Sequence, residues 1–168
     1  MTLYVIVCAT GPAPGVGELV GQAQAKGWEV QVVATPLAVD FIDTAALEEQ
    51  TGRPVRSRYR KPSEPKPPRP EAIIVAPASF NTVNKYAAGI ADTYPLGLLA
   101  EAPGLGIPVV ILPSAGPALA TRLPFQRSVA QLRSEGVRVL DPPTDPFGPF
   151  PWHTALEALP PSLSPRRP

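Results

Sequence analysis

The residues Leu3–Ala9 (LYVIVCA) form an unbroken apolar run rich in β-branched side chains, and this run restricts the fold more than any other feature of the chain. A strand with no polar position has no face to give to water. It has to be covered on both sides, as the strands of a parallel sheet are. A glycine-rich turn, Thr10–Gly17 (TGPAPGVG), follows at once. Beyond it Val16, Leu19, Val20 and Ala23 recur at the spacing of one helix face, and Gly27 stands where such a helix ends.

The same alternation continues along the chain. Glu29–Ala34 reads as a second strand, followed by Thr35-Pro36, an N-cap hydroxyl with proline at the first helical position. Helical pattern extends through Phe41 and Ile42. Asp43 caps a second short helix, Thr44–Gln50, stopped by Gly52-Arg53-Pro54. Ala72–Ala76 is a third buried strand, leading through Pro77-Ala78-Ser79 into a helix from about Asn81 to Ala88. Another helix spans Asp92–Ala102, Pro108–Leu112 is the fourth strand, and Phe125, Val129 and Leu132 mark a helix ending at Gly136. Val137–Leu140 is the fifth strand. The predicted fold class is α/β: a Rossmann-like, flavodoxin-like three-layer sandwich around a parallel sheet of five to six strands. Ligands in such folds bind beyond the carboxyl ends of the strands, which singles out the turns Thr10–Gly17, Pro77–Thr82 and Pro113–Pro117.

Composition limits what else the chain can be. Its 168 residues suit one domain, expected over residues 1–140 with a basic proline-rich loop at 53–70 inside it and a proline-rich tail at 141–168. Fifteen of the 25 prolines fall within that loop and tail, where periodic patterning stops. The tail also carries Phe147, Phe150 and Trp152, and a short helix is expected over His153–Leu159. A net charge of +1 gives no overall field that favours nucleic acid or an anionic membrane. The loop does hold seven of the fifteen basic residues, opposed only by Glu64, and is expected to be solvated and flexible. The single cysteine, Cys8, lies within the first strand and excludes a disulfide framework inside one chain; core filling is its expected role. The first apolar run is too short to span a membrane, and a cytoplasmic protein is expected.

Chemistry is concentrated in Ala76–Asp92 (APASFNTVNKYAAGIAD). Its Ser79, Asn81 and Thr82 put short hydrogen-bonding groups at a helix start, although a helix cap and a stabilised turn would use the same residues. The Thr10–Gly17 turn lets a ligand approach the backbone closely at a helix N-terminus, but it is not a dinucleotide fingerprint, and Pro12 and Pro14 each lack an N–H.

This stretch resembles the PASANT signature of the homo-oligomeric flavin-containing cysteine decarboxylases, the family of phosphopantothenoylcysteine decarboxylase and the epidermin-type peptidyl-cysteine decarboxylases. The similarity extends through KGWEVQVVAT, TPLAVDFI, TGRPV, NKYAAGIAD and PVVILP, roughly Leu3 to Leu140. The resemblance implies FMN as cofactor, with Gly11 and the Thr35 hydroxyl near its phosphate and Thr10 among the cofactor-binding residues. Pro77, Ala78, Ser79, Asn81 and Thr82 would then line the ribityl chain, phosphate or ring. It also implies a homo-oligomer, a trimer or dodecamer, with flavin sites at subunit contacts, and a small-molecule or peptide substrate of unknown identity.

Several family features are missing. Serine is common in the family where this chain has Pro12, and alanine where it has Phe80, which would pack on the flavin or fill an interface. The family histidine before the PASANT strand has no counterpart in Ser63–Ala72; the one histidine is His153. The clamp P-x-M-N-x-x-M-W is reduced to Pro113-Ser114-Ala115-Gly116-Pro117-Ala118-Leu119-Ala120. With neither asparagine nor bulky walls, a cysteine-terminal substrate would lose orientation and desolvation, so standard decarboxylation is not expected. The expected activity is that of an atypical flavin-dependent enzyme, lyase or oxidoreductase-like, with a non-catalytic partner-binding subunit as the alternative.

Overall fold

The computed structural model describes residues 1–145 and 148–163. Five strands, β1 (Thr2–Val7), β2 (Glu29–Ala34), β3 (Ala72–Ala78), β4 (Val109–Pro113) and β5 (Arg138–Val139), form one parallel sheet in the order β2-β1-β3-β4-β5. The helices are α1 (Val16–Ala25), α2 (Thr44–Thr51), α3 (Phe80–Ala87), α4 (Tyr94–Glu101), α5 (Pro117–Ala120), α6 (Leu123–Ser134) and α7 (Trp152–Glu157).

Strand alternation divides the apolar runs between two cores. Leu3, Val5 and Val7 of β1 point to the face covered by α1 and α7, where Val16, Leu19, Val20, Ala23, Trp152 and Leu156 are buried. Tyr4, Ile6 and Cys8 point to the opposite face, beneath Val83 and Tyr86 of α3, Leu96 and Leu99 of α4, and Leu132 of α6. All six residues of β1 are buried, which explains why its sequence carries no polar alternation. The predicted stripe of α1 is its buried face. Gly52 closes α2 in the left-handed conformation at φ 67°, and Asp43 accepts a hydrogen bond from the Ala46 amide (3.0 Å) at the other end.

Other expectations need revision. Thr35 precedes a 3-10 turn, Pro36–Asp40, and its hydroxyl makes no cap bond. The helix α5 follows Gly116 in a stretch read as turn alone. Phe80 stacks on Phe125 of α6 (centroids 5.7 Å apart, planes 15° from parallel), so it serves helix packing within the chain.

The proline-rich loop is docked rather than free. Arg56 bridges to Val33 at the outer edge of β2, donating to the Val32 carbonyl and accepting from the Ala34 amide. Tyr59 meets Tyr94 edge-on at 5.1 Å and rests on Gly97, the Tyr4 hydroxyl donates to the Pro68 carbonyl (2.7 Å), and Arg69 donates to the Leu105 carbonyl. These anchors fasten the loop to β1, β2 and α4. Proline suits the role because it limits the unfolded alternatives without requiring regular structure. The tail returns to its own chain through α7, where Trp152 is buried against Gly15 and edge-on to Phe150. Phe147 lies outside the described residues.

Candidate functional site

In the order β2-β1-β3-β4-β5 the chain reverses its direction of progress between β1 and β3. Their carboxyl ends therefore diverge into turns on opposite faces, leaving a crevice where ligands of open α/β sheets bind. Backbone bonds extend the ladder past the strand ends and fix these turns beside one another. Cys8 donates to the Pro77 carbonyl (3.1 Å), Thr35 to the Val7 carbonyl (2.9 Å) and Ser114 to the Ala78 carbonyl (2.8 Å). Thr35, Thr10, Ser79 and Ser114 consequently stand in a row along one rim, each just after its strand. The peptide bond Ala76–Pro77 inside β3 is cis, and the β3–β4 register shifts between Val75 and Ala78.

The first turn holds donors without acceptors. The Thr10 backbone is engaged at both ends, its amide on the Cys8 carbonyl (2.9 Å) and its carbonyl under the Ala13 amide (3.0 Å). Its side-chain Oγ1 is buried and has no partner. Gly11 follows, exposed, with an amide free of any hydrogen bond and nothing within 4 Å of the place a Cβ would occupy. Burying a hydroxyl unpaired costs about 1–3 kcal/mol, so the Thr10 hydroxyl is a donor that an incoming acceptor would satisfy.

At the start of α3 the three polar residues take different places. Ser79 is the N-cap: its Oγ accepts from the Thr82 amide (3.1 Å), and it stays partly exposed at the rim. Asn81 lies in the first turn with its side chain in solvent, and it and Phe80 precede the first helical hydrogen bond, leaving their amides for a ligand. Thr82, in contrast, is only 6% exposed and lies one layer below. Its Oγ1 receives the Cys8 thiol (3.3 Å) and the Ser79 hydroxyl (3.0 Å). Its part in a ligand site is therefore indirect: it holds Ser79. Burial raises the Cys8 thiol pKa above the ordinary value, against the lowering effect of its bonds with Thr82 and Ser79, so the sulfur stays protonated and acts as a donor.

Pro77 and Ala78 are buried backbone positions, able to offer a ligand only main-chain groups. The Thr35 hydroxyl makes no hydrogen bond among the described residues, and Leu37 (72% exposed) and Phe41 (47%) are exposed in the 3-10 segment and its end that follow. Across the rim, Pro113–Ala120 places Ser114 beside Ala78, but Gly116, Ala118 and Leu119 face solvent and add no side-chain donor. His153 is exposed on α7, a helix that packs under the sheet against α1, β3 and β4. Among the described residues no group of acidic, histidine or cysteine side chains suits a metal ion, and no helix is long and apolar enough to cross a membrane.

Comparison with known proteins agrees with the fold. The chain matches the Flavoprotein family over residues 2–147. It is 26% identical over 155 residues to a probable phosphopantothenoylcysteine decarboxylase of Streptococcus mutans serotype c, with 84% of each chain covered. Among solved structures, MrsD from a Bacillus species superposes with a TM-score of 0.77 at 20% identity, covering 94% of this chain and 92% of its own. TvaF, an FMN-dependent cysteine decarboxylase from thioviridamide biosynthesis, gives 0.76 at 23% identity and 94% of both chains. Epidermin biosynthesis protein EpiD from Staphylococcus aureus gives 0.68 at 22% identity, covering 83% and 82%. At such identities these structures speak for a shared fold.

Proposed function

The chain belongs to the Flavoprotein family, and on that premise we propose that it binds FMN at the β1/β3 crevice without the equipment for standard cysteine decarboxylation. The single observation behind this reading is the buried, unpartnered Thr10 hydroxyl beside the free Gly11 amide, two donors suited to a phosphate oxygen. Thr35 would add a hydroxyl from the next strand, Ser79 and Asn81 would meet the ribityl chain and ring, and Pro77 and Ala78 would supply backbone. Thr82 and Cys8 orient Ser79 from below. Bound FMN would supply a hydride acceptor at the rim. What this chain's own residues contribute is binding and orientation, since no histidine lies within residues 53–72 and Gly116 and Ala118 supply no substrate clamp.

Assembly with further copies of the chain, as a trimer or a multiple of trimers, belongs to the same proposal. Leu37 and Phe41 leave an apolar surface beside Thr35, and Leu119 (44% exposed) and Leu123 (53%) another after β4. A neighbouring subunit covering either would enclose the flavin.

The test is direct. Protein purified without added flavin should be yellow, and the small molecule released on denaturation should have the mass of FMN. Colourless protein that takes up no FMN on titration overturns the proposal. A second reading, a flavoprotein-fold subunit that binds partners without catalysis, is favoured by the absent histidine and clamp. Mixing FMN-loaded protein with thiol-bearing peptides or acids separates the two: bleaching of the flavin or release of carbon dioxide excludes a purely binding role.

A further inference from the structure

The loop between α2 and β3 lines an open cleft of about 290 Å³ along the outer edge of β2, where Arg56 accepts from the Ala34 amide one residue before Thr35. Pro54, Val55 and Pro65 provide apolar walls, and Arg56, Ser57 and Arg58 provide hydrogen-bond donors. The cleft is small even for a ligand site, fitting a molecule of a few heavy atoms rather than a nucleotide.

Its charges do not balance internally. Glu64, the one acidic wall residue, is committed: it pairs with Arg58 (3.0 Å) and accepts from the Lys61 amide (3.0 Å). Arg56 has no such partner. Its backbone is fixed by the bridge to Val33, and its side chain makes no hydrogen bond or ion pair with any described residue although Nε is buried. Three residues earlier, Arg53 pairs with Glu29 through one terminal nitrogen while the other is buried without an acceptor. The Ser57 hydroxyl is also free of hydrogen bonds. A guanidinium is always charged, so it cannot escape desolvation by losing a proton and has to find an acceptor. Arg56 lines the cleft, so its unmatched guanidinium nitrogen is half of an interaction there.

We propose that this cleft binds a small organic anion, its carboxylate or phosphate held by Arg56 with help from Ser57 and Arg58, and its apolar body against Pro54, Val55 and Pro65. The forked geometry of guanidinium suits both oxyanions equally, so experiment has to separate them. This site does not depend on the flavin reading, because it uses none of the rim residues.

The full-length protein is titrated, in buffer free of carboxylate and phosphate, with inorganic phosphate in one series and propionate in another, and the backbone amides are followed by NMR. The expected result is saturable movement of the Ser57 and Arg58 amides by at least one probe, weakened about tenfold or more in Arg56→Gln, the loss of one charge-assisted contact. The variant should fold, since Arg56 has no internal side-chain partner to lose. If it does not, Arg56→Lys replaces it: the charge stays, the fork goes, and weaker binding at the same amides is expected. Responses from neither probe, movement that never saturates and fades with salt, or identical titration of the variant would each overturn the proposal. So would phosphate shifts confined to Gly11 and Asn81, which would instead report on the rim crevice.

Discussion

Replacing Thr10 with valine should shift stability and affinity in opposite directions. The substitution keeps the β-branched shape and leaves both backbone hydrogen bonds of Thr10 in place, removing only a buried hydroxyl that has no partner in the unliganded chain. Removing such a group relieves a desolvation cost of about 1–3 kcal/mol. In a chain of 168 residues, a gain at the lower end raises the melting temperature by about 2–4 °C. In the proposed FMN site the same hydroxyl would donate to a charged phosphate oxygen, a bond contributing about 1.5–3 kcal/mol, so Thr10→Val should weaken FMN binding by about 10- to 100-fold. Thermal unfolding of flavin-free protein in phosphate-free buffer gives the first quantity, and quenching of flavin fluorescence on titration gives the second. A variant less stable than the parent without ligand would show that the hydroxyl already has a partner. One more stable but with unchanged FMN affinity would show that the phosphate lies elsewhere.

Two further outcomes follow from the packing. Burial pushes the phenols of Tyr4 and Tyr86 from 10.0 up to about 12, so the folded chain keeps protons that the unfolded chain releases; stability is full below pH 10 and falls as pH rises towards about 12. Absorbance titration with parallel circular dichroism should show these phenolates appearing only as structure is lost, and their ionisation near pH 10 in a native-like spectrum would contradict it. Gly97→Ala would place a methyl group 2.0 Å from the Tyr59 hydroxyl, at the free end of a side chain that is 60% exposed. The helix gains about 1 kcal/mol from alanine, while losing the Tyr59–Tyr94 contact costs about 0.5–1.5 kcal/mol, so net stability should barely change. Limited proteolysis within residues 53–70 should nevertheless accelerate; an unchanged rate would mean that Tyr59 does not anchor the loop.

The sheet was legible because a strand buried on both faces reads as a continuous apolar run whichever way its side chains point. Val5 and Ile74 are apolar whichever way they point, so a run such as AIIVA identifies a central strand without tertiary information. The loop was misread because composition reports on solvation, whereas docking depends on a few geometric coincidences. The docking of Tyr59 depends on a glycine in α4, 38 positions away, and the Arg56 bridge on an unpaired edge of β2. Neither has a local signature. The same is true of Phe80, whose partner Phe125 belongs to α6, beyond α4, β4 and α5.

The site shows where residue type stops being informative. Ser79 and Thr82 are both short hydroxyls at a helix start, and their spacing is compatible with either facing a ligand. What separates them is the helix rotation that follows from Ser79 being the cap: once its Oγ accepts the Thr82 amide, residue 82 turns towards the sheet, where Cys8, one residue past β1, is the donor. The sequence carried no signal for this pairing, since a buried cysteine can fill a core with its weak S–H donor unpaired, and only the β1–β3 adjacency brings Thr82 to it. A protonated thiol, a threonine and a serine thus form a stack from core to rim, in which the outermost hydroxyl is held without help from solvent. Preorganisation of that kind lowers the entropic cost of ligand binding. It accounts for the burial of Thr82 and Cys8 directly beneath Ser79.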